Sequence, residues 1–244
     1  MRLFTAKFAK KAQRTQIVNL LSFCLYLIPI LLGSCNKQTD KTLPYGFAYV
    51  ASSVSDVILE IRYYSSYNFV GTRVDGYLAP VAILSKQAAE ALYNANADLY
   101  KQGYVLKVFD AYRPQRAVDH FMRWAKDESD TLTKQYFYPD IEKKEIIPKG
   151  YILERSGHTR GSTIDLTIVD MSTGKEVDMG SPFDFFGEVS HHGTDLISDE
   201  QTDNRLILKN AMENAGFVPY AEEWWHYTLK NEPYPDTYFD FPVE

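Results

Sequence analysis

The sequence predicts an α+β protein whose folded part is one domain of roughly 200 residues, a normal domain size, behind a separate leading segment. Three observations predict it. Helical and extended patterns are interspersed without the regular strand–helix alternation of a doubly wound sheet. From Pro44 to Glu244 no repeat, low-complexity run or shift in composition marks a boundary. The first 34 residues differ in kind: they hold Arg2, Lys7, Lys10, Lys11 and Arg14 and no acid, whereas the remainder carries 21 basic residues against 32 acidic ones. With 45% hydrophobic and 24% charged residues, the 244-residue chain is globular in composition, and its net charge of -6 argues against a nucleic-acid partner.

The leading segment reads as an export signal. A basic stretch precedes an apolar run from Ile17 to Leu32, and small residues follow. The other reading is a retained membrane helix, for which the run is just short. Leu32-Gly33-Ser34-Cys35 resembles a bacterial lipobox, which implies a signal peptide over 1–34, lipid on Cys35, and a tether over 35–44 leading to a folded domain over 45–244. Such a chain would be an exported lipoprotein of the bacterial envelope, held to a membrane on its periplasmic side. Cys24 and Cys35 are the only cysteines, so the body has no thiol, no disulfide and no cysteine zinc site. A metal there must sit on His, Asp or Glu.

Within the body, Ser85–Gln102 predicts a helix, with Ala88, Ala89, Ala91, Leu92, Ala95 and Leu99 at helical spacing and Gly103 as its stop. Tyr104–Phe109 reads as a buried strand, ended by Asp110-Ala111-Tyr112-Arg113-Pro114, and Gln115–Lys126 resumes a helical pattern. In Ser162–Val169, Ile164, Leu166 and Ile168 alternate with Thr163, Asp165 and Thr167, predicting a strand with one apolar and one polar face. Asn204–Ala215 predicts a helix ending at Gly216, and Phe217-Val218-Pro219 leads into Glu222–Tyr227.

Five histidines are available: His120, His158, His191, His192 and His226. His120 lies in a helical segment, and His191-His192 in a loop where a solvated or structural pair is the plainer reading. His158 and Asp165 stand out. Glycines and hydroxyl residues from Ser156 to Thr163 make a tight turn, after which Asp165 sits on a strand and needs a partner, because a buried unpaired charge is very costly. That partner is either a cation shared with His158, or Arg155 or Arg160. Glu223-Trp224-Trp225-His226 would complete a catalytic zinc site of three N or O ligands, His158, Asp165 and His226, with Glu223 placed to take a proton from water. The two tryptophans read as core packing.

Ser156-x-His158-x-x-Gly161-x-Thr163-x-Asp165, followed by Glu223-x-x-His226, resembles the signature of zinc D,D-peptidases of the hedgehog/D-Ala-D-Ala peptidase fold. The fuller resemblance is to the D-alanyl-D-alanine dipeptidases, supported by Val74-Asp75-Gly76-Tyr77, Phe109–Pro114, Asp178–Asp184 and the Trp224-Trp225 pair. It implies a central antiparallel sheet flanked by helices and one zinc ion per chain on His158, Asp165 and His226. It further implies Glu223 as general base, Arg113 as the group steadying the oxyanion, Asp184 and Tyr63 at the substrate's ammonium, and Ser156 at its carboxylate. Thr163 departs from the pattern, which commonly has Ala there, so its hydroxyl is expected near the metal's surroundings. The implied reaction is hydrolysis of D-Ala-D-Ala to two D-alanines, in wall turnover or glycopeptide resistance, with no protein partner. The rival readings are a D,D- or L,D-carboxypeptidase trimming peptidoglycan stem peptides, and a non-catalytic envelope lipoprotein that binds wall fragments or zinc.

Overall fold

A computed structural model describes residues 43–244; the expected signal peptide, Cys35 and nearly all of the expected tether lie outside the described residues. In chain order the elements are β1 (Phe47–Tyr49), α1 (Val50–Ser53), β2 (Ile58–Leu59), β3 (Ile83–Ser85), α2 (Lys86–Lys101), β4 (Tyr104–Asp110), α3 (Gln115–Lys126), α4 (Lys134–Phe137), β5 (Thr163–Asp170), β6 (Lys175–Glu176), α5 (Asp199–Asn214), β7 (Phe217–Tyr220) and β8 (Glu223–Leu229). The main sheet runs β2-β4-β5-β8-β7, with β6 beside the far end of β5. Every pairing in it is antiparallel except the short β2–β4 edge. β1 and β3 make a separate antiparallel pair. The expected α+β class with a central, largely antiparallel sheet is what the chain adopts.

Local sequence explains the helices. Ser85 caps α2 by accepting from the Ala88 N–H, and the helix stops where Gly103 takes a left-handed φ of +88°. Its buried stripe is nearly all alanine and leucine, so it lies close against β4 and α5. α3 starts immediately after Pro114, whose missing N–H costs nothing at a helix start. α5 begins five residues earlier than the apolar periodicity predicts. Its first turn, Asp199–Asp203, is wholly polar and is held by a capping box between Ser198 and Gln201, a signal independent of any apolar stripe.

β5 has the two faces that its alternation predicts. Ile164, Leu166 and Ile168 are fully buried as anticipated, but Thr163, Asp165 and Thr167 on the expected polar face are buried too. On that face Asp165 lines a cavity walled by α3 and by irregular segments around Tyr63–Phe69, Gly150–Gly157 and Asp184–Phe186. Trp224 and Trp225 are core residues, as expected.

Two interruptions of the ladder set the site. Between Val108 and Asp110 the β4–β5 register shifts, leaving Phe109 as an extra residue and bringing Asp110 opposite Asp165. Between β7 and β8, Pro219 pairs with Tyr227 while Tyr220 pairs with Glu223, so β8 bulges over Trp224–His226. Without that bulge, residues three apart on a strand would face opposite ways. The C-terminal segment then ties the parts together: Phe239 accepts from the Gln115 N–H and donates its own N–H to Thr159, at 3.0 Å each.

Candidate active site

His158 rides on a 3₁₀ turn, Gly157–Arg160, which Ser156 caps by accepting the His158 N–H at 3.3 Å. Gly161 closes the turn with φ +82°, and a Cβ there would lie 2.3 Å from the Phe47 ring, so both backbone and packing demand glycine. The His158 ring is buried, and its Nδ1 lies 2.7 Å from the carbonyl of Ala111. A carbonyl can only accept, so Nδ1 carries a proton, and Nε2 is the nitrogen that faces Asp165 and His226.

Asp165 and His226 are placed by register, directly opposite each other on β5 and β8. Asp165 Oδ2 lies 3.2 Å from His158 Nε2, and Asp165 Oδ1 lies 3.1 Å from His226 Nδ1. The two imidazoles approach to 3.3 Å between His158 Nε2 and His226 Nδ1. Among the described residues these three are the group whose ligand atoms converge, all within 4.8 Å of one another. Asp165 Oδ1 is buried, and among the described residues the His226 ring nitrogen is the one group near enough to give it a proton. Two imidazole nitrogens and a carboxylate oxygen fit a divalent metal such as zinc. Asp165 is not paired with Arg155 or Arg160: the Arg160 guanidinium is held by Glu232 at 2.8 Å.

Glu223 joins from the bulge, its Oε2 3.3 Å from His226 Nδ1. On the opposite side, Arg113 is half-buried between the Tyr63 and Phe121 rings, 5.0 and 5.1 Å from their centroids. Its Nε and Nη2 lie 2.9 Å from Asp110 Oδ2, and Nη2 lies 3.4 Å from Asp165 Oδ2. Asp110 also takes the Tyr77 hydroxyl at 2.6 Å. Sequence reasoning assigned neither Asp110 nor Tyr77 a role, although both lie in the stretches that carried the resemblance. The available signal was an acid at the end of an apolar strand, three residues before Arg113. Asp184 sits in left-handed backbone, φ +64°, and the Tyr63 hydroxyl donates to its carboxylate, 3.1 Å from both oxygens. Ser156 lines the same cavity.

The charges are mutually dependent. Burial disfavours charge on Asp165, but His158 and His226 outweigh it and hold its carboxyl well below the usual range. Burial likewise opposes protonation of His226, yet Asp165 and Glu223 raise its pKa to about 9. Asp184 goes the other way: burial, then the nearby Asp165 charge, push its carboxyl well above the ordinary value. A cationic group arriving beside Asp184 would relieve that penalty.

The remaining histidines stay apart. His120 accepts the Asp75 N–H at 3.1 Å, and His191 and His192 line a separate shallow pocket. Thr163 does not reach the ligand set; its hydroxyl meets that of Thr228.

The cavity holds about 380 Å³, and aromatic rings and the Gly150–Leu153 segment close around its polar floor. A small molecule with charges at both ends matches its size and polarity. The class so defined is a hydrolase for a small polar substrate. Comparison with known proteins gives the family: residues 44–244 match the model described as D-ala-D-ala dipeptidase, and this chain belongs to that family. Proteins named D-alanyl-D-alanine dipeptidase from Enterococcus faecium and Enterococcus faecalis are each 46% identical, over 82% and 81% of this chain and 98% of their own lengths. The Streptomyces coelicolor protein of that name is 44% identical over 81% of this chain and 98% of its own. A solved LD-carboxypeptidase, LdcB, aligns with a TM-score of 0.39 at 18% identity, over 79% of this chain and 72% of that one.

Proposed function

We propose that this chain is a zinc-dependent dipeptidase that hydrolyses D-Ala-D-Ala to two D-alanines. The observation that carries the reading is the convergence of His158, Asp165 and His226 beside Glu223, inside a cavity with acceptors for an ammonium at one end. The relatives named for that activity, matched nearly end to end, support it. When bound by those three residues, zinc supplies Lewis-acid chemistry, polarising the scissile carbonyl and making water acidic enough to ionise near neutral pH.

The chain's own residues do the rest. Asp184, with Tyr63, receives the substrate's ammonium, and Ser156 faces its carboxylate. A dipeptide fixed at both ends presents its amide over the ligand set without further loss of freedom at the reacting step. Glu223 accepts a proton from the attacking water and returns it to the departing amine. Arg113, anchored by Asp110 and shielded by aromatic rings, faces the oxygen on which negative charge develops, where a preset cation is worth most. The basic-then-apolar leading sequence and the lipobox-like Leu32-Gly33-Ser34-Cys35 support placing the enzyme as a lipoprotein on the periplasmic side of a bacterial membrane, in wall turnover or glycopeptide resistance.

The test is D-alanine release from D-Ala-D-Ala and from its N-acetyl derivative, with one equivalent of zinc. Hydrolysis of the free dipeptide, with the blocked form resistant, is expected, because an acetylated amine has no charge to offer Asp184. Equal cleavage of the blocked form would move the assignment to a stem-peptide carboxypeptidase.

Metal uptake has its own signature. With a pKa near 9, His226 is protonated at pH 7 in the metal-free protein, and a ligand nitrogen must give up that proton. Zinc binding at pH 7 is therefore expected to release about one proton per chain. Titration calorimetry in buffers of different ionisation enthalpy reads that number. Apparent affinity should rise with pH up to about 9 and then level. Affinity flat between pH 6 and 9 would contradict the proposed role of His226.

A further inference from the structure

Thr163 stands where the resembling motif commonly has alanine, and the hydroxyl it adds is engaged by Thr228. The two residues are directly opposite on β5 and β8, two positions along each strand from Asp165 and His226, and therefore on the same sheet face. Their Oγ1 atoms lie 2.9 Å apart. Thr163 is fully buried, whereas Thr228 is half-buried and lines the catalytic cavity.

That asymmetry sets the direction of the bond. Among the described residues Thr163 Oγ1 has no other hydrogen-bond partner. Were Thr228 the donor, the Thr163 proton would be buried without an acceptor, the costlier arrangement. Thr163 therefore donates, Thr228 accepts, and the Thr228 proton is free to serve the cavity. Gly157 locates that proton along the cavity. A Cβ on Gly157 would come 2.8 Å from Thr163 Oγ1, so the hydroxyl pair abuts the residue next to Ser156 and lies at that end of the site.

We infer that Thr228, oriented by Thr163, donates a hydrogen bond to the terminal carboxylate of the substrate. Thr228 is then a specificity-determining contact and Thr163 its positioning residue. The inference rests on the dipeptidase reading, in which Ser156 serves the same end of the dipeptide. It gives the chain a second neutral donor for a charged acceptor, and so a preference for a free carboxylate over an amide.

Steady-state kinetics on D-Ala-D-Ala and on its C-terminal amide, followed as substrate or competitive inhibitor, test it. Thr228→Val is expected to raise KM for the dipeptide about 10- to 100-fold, the worth of a hydrogen bond to a charged group, with kcat changed far less. Thr228→Ser should recover most of the loss. Thr163→Ala should raise KM by a smaller factor, about 3- to 10-fold, and Thr163→Ser should restore it, which a purely structural role would not require. The amide, which keeps a carbonyl acceptor but no charge, should lose clearly less on Thr228→Val than the dipeptide does. Wild-type KM in Thr228→Val, an equal loss on the amide, or a Thr163→Ser variant as impaired as Thr163→Ala would each overturn the inference. An active wild type with an unaltered Thr228→Val variant would overturn it alone; a wild type that releases no D-alanine would overturn the dipeptidase reading and this inference with it.

Discussion

Replacing Glu223 by Gln is expected to lower kcat by about three orders of magnitude, near the middle of the range for general acid–base catalysis, while zinc content stays at one per chain. The substitution keeps shape and volume, so the β8 bulge that places the side chain has no reason to change. Basicity is what disappears: a neutral amide cannot take a proton from water or carry one to the leaving amine. Because Glu223 is not counted among the three ligands, its loss should spare the metal, and that separates it from His158, Asp165 and His226, whose replacement by Ala should empty the site. Metal content measured alongside kinetics decides between the two roles. A Glu223→Gln enzyme with full zinc and a rate within tenfold of wild type would remove Glu223 from the mechanism.

Much of this was legible in the sequence, and the residues show why. Helices α2 and α3 and strands β4 and β5 follow from apolar spacing and from the stops at Gly103 and Pro114, because in each the burial pattern and local propensity agree. The meeting of His158, Asp165 and His226 was legible because a carboxylate inside a strand needs a partner, and a glycine-rich turn beside it carries a histidine. Two things were not. The burial of Thr163 and Thr167 beside Asp165 could not be recognised, since alternation looks the same whether the polar side meets solvent or the interior. The irregularities in β4 and β8 were also invisible: a bulge is a property of two strands in register, and neither Phe109 nor Trp224-Trp225 announces one alone. Those bulges bring Asp110 opposite Asp165 and turn Glu223 toward His226, so part of the site's geometry resides in pairing.

Pairing also sets the spacing within the site. Asp110, Asp165 and His226 form one row across β4, β5 and β8, the middle of the sheet, where strands have neighbours on both sides. His158 is bound to that row through the Ala111 carbonyl, and the Arg113 N–H donates to the His158 carbonyl at 3.3 Å. A constellation carried on paired strands holds its spacing better than one carried on free loops.

The second large effect is expected at Arg113, where charge alone is insufficient. Arg113→Lys keeps a cation but loses the planar fork that meets Asp110 through two nitrogens while leaving a face for the substrate. It is expected to reduce kcat by about 10²- to 10³-fold, the scale of removing one oxyanion donor, with KM affected less. Arg113→Ala should add a stability loss that the lysine variant largely escapes. Asp110 is fully buried, and burial already raises its pKa against the lowering influence of Arg113. Removing the guanidinium strands that carboxylate, with Asp165 nearby, at a cost of about 3–5 kcal/mol for a broken buried pair. The double variant Arg113→Ala with Asp110→Asn should regain much of the stability and none of the turnover, because the amide no longer needs a counter-charge while the oxyanion still lacks its partner. Urea denaturation and kcat measured on all three separate the two roles of Arg113. If the double variant were no more stable than Arg113→Ala, the ion pair with Asp110 would not be what holds that side of the cavity together.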